Sequence, residues 1–448
     1  MAVYFRLNPS CYLISGAHRA AIYELMSGNM IWLEPEVAAF VRACEMNYTV
    51  EAAAAEAGLI EADAVNSIGR LQASGVGLPY EQPIYVEHWR DRKTLKVKPF
   101  YEDPPLLQVA FIDLTNRCNL DCRFCQQGEG IRRFACLGCT RNQLRRPTLE
   151  VADRTRLLTQ LRELECPVVM FGGGNPFMVE QTCAEAIRSA AQLGFMRIGL
   201  VTNGTGLSDK LLEQLAEHHA YLVVQVYSHL DHVHDAITRR PGSFRELHTN
   251  IERMLHAGLS LSFTLLVTNA NQDALADTLA HYQAFSSNPM TVDYLYPGPE
   301  GGMNGTPMAL VDKLVIKKSD LMSVNIHQFF DRQEFNPCLR GKLAVTADGF
   351  LLPCPAMPDH QVGDVQSQDL QTLLAEGRLD EYWGLTKDQI TNCQQCEFRY
   401  ACMDCRALHA HTTGDLHGLA YCMYDPAVGV WREDCTACVT SAAEREGS

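Results

Sequence analysis

The chain has 448 residues, more than one ordinary domain holds, and 47% of them are hydrophobic, enough for a sizeable buried core. A formal net charge of −15 argues against nucleic acid as a partner, because phosphate binding needs basic surface. The apolar runs fall far short of a membrane span, and the N-terminus "MAVYFRLNPSCYL" lacks a charged-then-apolar signal pattern, so a cytoplasmic protein with no membrane association is expected.

Residues 1–95 read as a small separate unit. "VYFRL", "CYLIS" and "AAIYELMSGNMIWL" carry the β-branched and aromatic residues of short strands, broken by Gly and Asn. "EPEVAAFVRACEM", "TVEAAAAEAGL" and "EADAVNSIGRLQASGV" then read as three short helices. Strands followed by three helices suggest a winged-helix-like module; a plain structural cap is the alternative. From 106 to 305 apolar strands alternate with amphipathic helices. The strands are "LLQVAFIDL", "PVVMFGG", "RIGLVTN", "YLVVQVYS", "LSFTLLVTN" and "TVDYLYPG", and the helices 149–165, 179–194, 208–218, 243–257 and 272–285. Such alternation implies an α/β fold with a parallel sheet, either a barrel or a doubly wound sheet, with active residues at the C-terminal strand ends. Residues 306–448 are rich in Gly, Pro, Cys and loops, and are expected to fold around metals rather than around a large apolar core.

Eighteen cysteines stand out, since dense cysteine in a cytosolic chain of this size points to metal more than to disulfides. Cys11, Cys44, Cys166 and Cys183 lie in apolar or helical contexts and read as small core residues. The others form groups: Cys118, Cys122 and Cys125; Cys136 and Cys139; Cys338 and Cys354; Cys393, Cys396, Cys402 and Cys405 with Cys422; and Cys435 with Cys438. The first is C-x3-C-x2-C in "RCNLDCRFC", directly after the first strand of the α/β region. A disulfide needs two thiols and a tetrahedral zinc site four ligands, whereas three thiolates can hold three irons of a [4Fe–4S] cluster and leave the fourth open. A zinc knuckle that borrows a distant ligand is the alternative.

This loop resembles that of the radical S-adenosylmethionine (SAM) superfamily, with Phe124 as the aromatic residue before the third cysteine. The resemblance implies a partial (β/α)6 barrel and an open iron chelated by the amine and carboxylate of SAM. One-electron reduction then yields a 5′-deoxyadenosyl radical. "FGGGNP" is similar to the family's Gly-Gly-Glu-Pro-like turn, placing Gly172, Gly173, Gly174 and Asn175 beside SAM, with Asn175 where the family often has glutamate. Thr202 and Asn203 in "VTNGT", with Ser228 and Asn269, match the family's strand-end positions, and "HDAITRRPGSF" implies Arg239 or Arg240 at the SAM carboxylate.

"CLRGKLAVTADGFLLPC" and "CQQCEFRYACMDC" followed by Cys422 are similar to the SPASM extension, which carries two auxiliary clusters. The implied sets are Cys338, Cys354 and Cys405 for the first, and Cys393, Cys396, Cys402 and Cys422 for the second. The first lacks a fourth thiolate, because Arg332 stands six residues before Cys338. A zinc ribbon is the alternative here. "CLGC" and "CTAC" together suit one structural zinc on Cys136, Cys139, Cys435 and Cys438; completing an auxiliary cluster, or remaining as thiols, stays open. The N-terminal unit resembles the PqqD-like recognition element of RiPP (ribosomally made, post-translationally modified peptide) maturation, which takes up a leader peptide as an added strand.

Over nearly its whole length the chain therefore resembles a radical SAM/SPASM peptide maturase. The resemblance implies a ribosomal precursor peptide as substrate and a flavodoxin or ferredoxin as reductant. An intramolecular crosslink is the expected product. Epimerisation would need a barrel thiol, and neither Cys166 nor Cys183 falls clearly at a strand's C-terminal end. Sulfatase-maturase-like oxidation and a noncatalytic zinc scaffold are the other readings.

Overall fold

A computed structural model describes residues 2–89, 107–122, 124–125, 131–133, 138–140, 144–297 and 316–432. At the N-terminus β1 (Tyr4–Leu7) is followed by a meander of β2 (Cys11–Ser15), β3 (Ala20–Glu24) and β4 (Asn29–Leu33), with Leu13 opposite Ile22 and Ile22 opposite Ile31. Helices α1 (Pro35–Glu45), α2 (Val50–Ala57) and α3 (Glu61–Ala73) come next, and β5 (Gly77–Tyr80) returns to pair with β1. The local signals explain the boundaries. Pro35 opens α1, Thr49 caps α2 by accepting from the Ala52 N–H at 3.2 Å, and Gly58 ends α2 in the left-handed conformation.

The central strand β3 is buried on both faces. Ala20 and Ile22 pack against Phe40, Val41 and the other helix residues, whereas Ala21 and Tyr23 face Phe329, Phe398 and Tyr400 from the C-terminal part of the chain. Tyr23 OH donates to the Glu397 carbonyl (2.8 Å), Ala17 N–H to the Gln395 carbonyl (2.8 Å) and Arg399 to the Ser15 carbonyl (3.0 Å). The N-terminal sheet is thus seated on the cysteine-rich segment.

The α/β region follows the expected order. Its elements are β6 (Val109–Thr115), β7 (Ile131–Arg133), α4 (Val151–Glu163), β8 (Val168–Gly173), α5 (Glu180–Gln192), β9 (Arg197–Thr202), α6 (Asp209–Glu217) and β10 (Tyr221–Val226). They continue with α7 (Asp231–Thr238), α8 (Ser243–His256), β11 (Ser260–Val267), α9 (Leu275–Gln283) and β12 (Thr291–Pro297). Strands β6-β8-β9-β10-β11-β12 lie side by side in chain order and all run parallel. A doubly wound sheet reverses its strand order; this one does not, so its helices share one side, as in a partial barrel. Outward residues such as Ile112, Phe171, Leu200, Val224 and Phe263 form the main core beneath the helices, while Phe111, Met170, Val201 and Val223 pack together on the inner face.

The C-terminal segment departs from expectation. β13 (Lys342–Val345) pairs parallel with β6, Lys342 opposite Val109, and carries β14 (Phe350–Leu352) and β15 (Gly363–Asp364) outward, while β7 flanks β12 at the other edge. Among the described residues the sheet therefore has ten strands. Leu339, Leu343, Val345, Leu351, Leu370, Leu373 and Trp383 join the barrel's own core. The expectation of a segment without a large apolar core is corrected. Its apolar residues come in short runs between Gly and Cys, too brief for periodicity to register, and they complete a core begun elsewhere. Helix α10 (Ile326–Glu334), capped by Asn325, brings Phe329 under β3. Among the described residues no helix is long and apolar enough to cross a membrane.

Phe329 is the hinge of the N-terminal contact, touching the rings of Tyr12, Tyr23 and Tyr400 at 5.0 to 5.3 Å. Phe329→Ala is expected to cost about 3–5 kcal/mol in chemical denaturation. Deuterium uptake should rise in residues 11–33 and stay unchanged in β8 to β10.

Candidate functional site

The loop that leaves β6 is held by the turn that ends β8. Gly174 N–H donates to the Thr115 carbonyl and Asn175 N–H to the Arg117 carbonyl, each at 2.8 Å. A Cβ on Gly173 (φ 115°) or Gly174 would collide with those same two carbonyls. The glycines are required by the approach of the cysteine loop's own backbone.

Asn175, fully buried, joins three segments. Its Oδ1 accepts from Thr202 Oγ1 (2.8 Å), and its Nδ2 donates to Asn119 Oδ1 (3.0 Å) and the Thr205 carbonyl (2.9 Å). Both amide hydrogens are taken by protein acceptors, so the geometry gives Asn175 an organising place rather than a free donor for a ligand. Asn203 donates to Asn119 Oδ1 (3.1 Å) and to the Cys118 sulfur (3.5 Å), which also receives the Leu120 N–H (3.4 Å). The Cys122 thiol donates to Tyr227 OH at 3.6 Å, and Phe124 packs on the Tyr227 ring at 5.7 Å. Leu120, Ile237 and Leu266 complete an apolar wall around Cys118, Cys122 and Cys125. Burial pushes the Cys122 thiol up to about 12; the hydrogen bond with Tyr227 opposes this, while Cys125, Cys139 and Cys118 add to it.

Beneath this loop four strands place polar residues on the inner face: Asp113, Gln225, Ser262 with Thr264, and Asp293. Cys139 N–H donates to Gln225 Oε1 (3.2 Å) and Thr140 Oγ1 to Asp113 Oδ1 (2.6 Å), so the insertion after the cysteine loop comes back to the barrel. Cys136, Cys435 and Cys438 lie outside the described residues, and with them three of the four members of the expected zinc set.

The other expected positions divide. Ser228 is buried, its Oγ accepting from the Leu230 N–H at 3.0 Å. Arg239, in the left-handed conformation at the end of α7, pairs with Asp121 beside Cys122 (3.7 Å), while Arg240 pairs with Glu246 (2.7 Å). Asn269 is exposed in the turn after β11; the buried amide there is Asn271, which donates to the carbonyls of Tyr227 and Leu266. The Asp of "HDAITRRPGSF" has a structural task. Burial raises Asp235, but the N–H groups of Phe244 and Gly242 and the Ser243 hydroxyl outweigh it and hold the carboxyl below its usual range, fixing the start of α8.

In the C-terminal segment Cys393, Cys396, Cys402 and Cys422 are electrostatic neighbours. Burial pushes Cys402 up to about 11 and Cys422 up to about 12, and Cys393 lies close enough to raise Cys396, Cys402 and Cys422 further. Cys338 accepts from Lys342 Nζ (3.5 Å), Cys354 is buried in the main core and Cys405 precedes α11 (Arg406–Thr413). Arg332 is buried and donates to the Tyr400 carbonyl (2.6 Å).

Two donor sets, Cys118, Cys122 and Cys125 behind one apolar wall and the mutually neighbouring Cys393, Cys396, Cys402 and Cys422, fit iron–sulfur clusters. Buried thiolates are penalised unless a cation compensates them, and irons do so. Among the described residues no three His, Cys, Asp or Glu side chains converge on a single metal ion.

Residues 112–281 match the model of the Radical SAM superfamily. The chain is 34% identical over 112 residues to a 7,8-dihydro-6-hydroxymethylpterin dimethyltransferase of Methanocaldococcus jannaschii, 24% of this chain and only 20% of that protein's length. It is 21% identical over 360 residues to the tungsten-containing aldehyde ferredoxin oxidoreductase cofactor-modifying protein of Pyrococcus furiosus, covering 71% of this chain and 95% of the relative. It is 23% identical over 172 residues to the sporulation killing factor maturation protein SkfB of Bacillus subtilis, 38% of each. The solved structure of anSMEcpe with bound AdoMet and Kp18Cys peptide shares the fold, with a TM-score of 0.52 and 13% identity over 76% of this chain and 98% of that one. Residues 112–281 are a radical SAM domain, and that chemistry implies a [4Fe–4S] cluster and SAM.

Asn175→Ala should lower stability by about 1–3 kcal/mol, because it strands buried partners on three segments, and iron retention by the reconstituted protein should fall with it. His234, 1% exposed between Tyr227 and Phe244, is pushed down to about 4 by burial, with Asp235 opposing and His248 adding. The unfolded imidazole titrates near 6.5, so between those values the unfolded state binds more protons. Stability is complete above about pH 6.5 and falls by up to about 3 kcal/mol towards pH 4. Denaturation of His234→Phe across that range should show a shallower loss.

Proposed function

We propose that this radical SAM enzyme matures a ribosomal precursor peptide, held through its leader, by forming an intramolecular crosslink. The observation that carries the reading is the barrel mouth, where three cysteines on the loop leaving β6 overlook an inner wall with polar residues on four of its strands. Cys118, Cys122 and Cys125 hold the cluster. Gly172, Gly173, Gly174, Thr202, Asn203, Ser228 and Asn269 border SAM, with Asn175 setting the turn. Arg239, tied to Asp121 beside Cys122, takes the SAM carboxylate in preference to Arg240, which Glu246 holds. When bound, the cluster and SAM supply the 5′-deoxyadenosyl radical that removes a hydrogen atom from the peptide. Leu120, Phe124, Tyr227 and Leu266 keep water from the cysteines, and Asp113, Gln225, Thr264 and Asp293 offer hydrogen bonds to a peptide lying in the barrel.

The N-terminal sheet supplies the leader site. β4 is the last strand of its meander, so its outer side can accept an added strand, with the half-exposed Trp32 beside it. Cys393, Cys396, Cys402 and Cys422, and Cys338, Cys354 and Cys405, would hold two auxiliary clusters, which would give a net oxidation its electron outlet. A flavodoxin or ferredoxin would be the electron source for the cluster that Cys118, Cys122 and Cys125 would hold. SkfB, named for maturing a killing factor, supports a peptide substrate. One observation favours a second product: Cys139, whose backbone N–H donates to Gln225 and whose thiol is an electrostatic neighbour of Cys122, is a thiol at the barrel mouth of the kind epimerisation requires.

Anaerobic reconstitution followed by SAM cleavage under dithionite tests the reading. About twelve irons per chain and 5′-deoxyadenosine are expected, with no cleavage by Cys122→Ala. With the precursor encoded beside the gene, loss of two hydrogens marks a crosslink, and uptake of one solvent deuterium marks epimerisation. About four irons with cleavage would remove the auxiliary clusters. Zinc without cleavage would sink the enzyme and leave a scaffold.

A further inference from the structure

A buried charge group lies beside the second cysteine set and has no part in the reading so far. Lys387 is 4% exposed, and its Nζ stands 2.7 Å from Asp404 Oδ1. Arg406, 1% exposed, pairs with the other oxygen of the same carboxylate and donates through Nη1 to the carbonyls of Leu416 (3.2 Å) and Gly418 (2.9 Å). His409 lies 3.7 Å from Asp404, but its Nδ1 accepts the Ala420 N–H at 3.0 Å, which is the arrangement of a neutral ring. Two cations thus share one carboxylate, and one positive charge is left over, out of water.

A buried surplus charge is heavily penalised unless an opposite charge faces it. What faces this one is sulfur. Lys387 acts electrostatically on Cys393, Cys402 and Cys422, and Arg406 on Cys393 and Cys402. Arg406 Nε has no hydrogen-bond partner among the described residues. Neutral thiols cannot answer the surplus, whereas four thiolates around a cubane leave a net negative charge, and reduction adds one more.

Resting on the oxidative reading above, we infer that Lys387, with Arg406 held around Asp404, is a positioning residue that raises the reduction potential of the Cys393–Cys396–Cys402–Cys422 pocket. Closing a crosslink removes two hydrogens from the peptide. One leaves as a hydrogen atom to the SAM-derived radical; the other leaves as a proton to solvent and an electron. That electron enters this pocket and passes to an oxidised one-electron carrier of the flavodoxin or ferredoxin class. A fixed ammonium beside the sulfurs favours its entry, because it neutralises part of the added charge without reorganising.

The test is the full-length chain carrying Cys118→Ala, Cys122→Ala and Cys125→Ala, reconstituted and titrated anaerobically by EPR, following the signal that Cys393→Ala removes. Lys387→Met should keep the iron content and lower the reduced-to-oxidised ratio at fixed potential at least tenfold, about 59 mV for a one-electron couple. Lys387→Arg should restore it. An unmoved midpoint in Lys387→Met overturns the inference, as does loss of iron in both Lys387 variants, which makes the lysine structural. Should Lys387→Met alone lose iron, Asp404→Asn decides: removing the carboxylate adds positive charge and must move the midpoint up, and an unmoved or lowered value overturns the inference. If the parent binds no iron and shows no signal, the auxiliary-cluster reading itself has failed.

Discussion

Everything at the barrel mouth depends on a backbone contact that tolerates no side chain. The carbonyls of Thr115 and Arg117 occupy the space where Gly173 and Gly174 would carry a Cβ, and the same carbonyls accept the next two N–H groups of that turn. This clamp sets the height at which the cysteine loop leaves the sheet. Asn175 then ties the clamp to the ends of the neighbouring strand, through Thr202 and Thr205, and to Asn119 within the loop. Three cysteines with flexible backbones would lose much of their ordering entropy on gathering around one group; here most of that ordering is done by hydrogen bonds before any group arrives.

Much of the barrel was legible, because its strands are apolar runs of six to eight residues and its helices carry a clear period. The helices at 149–165 and 243–257 differ from α4 and α8 by a residue or two. Helix α7 was missed: "DHVHDAIT" is short and polar, and its ring contacts rather than its pattern hold it. The inner wall was also missed, although a signal existed. "AFIDL" and "VVQV" each break an apolar run with one polar residue at inward parity, and "SFTLL" and "TVDY" with two. A polar residue inside a buried strand has to find a partner or a ligand.

The C-terminal segment was the least legible part, for a different reason. Spacing can report the cysteines, but no local pattern can report that Lys342–Val345 will lie along β6, because that pairing is made over more than two hundred residues and its apolar side chains finish a core built by others. Asn269 illustrates the limit on a smaller scale. The motif position and the buried amide, Asn271, differ by two residues, and only the turn geometry after β11 decides which one faces inward.

The three parts of the chain are therefore one mechanical unit. The sheet that offers an edge at β4 rests, through Tyr23 and Ala17, on the backbone of Gln395 and Glu397, the residues flanking Cys396. The same cysteine-rich segment continues the barrel sheet through β13, directly beside the strand that launches Cys118, Cys122 and Cys125. Lys387 in turn acts electrostatically on Cys393, so the segment that carries the N-terminal sheet also carries the buried charge group. On the proposed function, a leader strand taken up at β4 would sit on the sheet that Gln395 and Glu397 carry, so recognition and the second cysteine set would share one support.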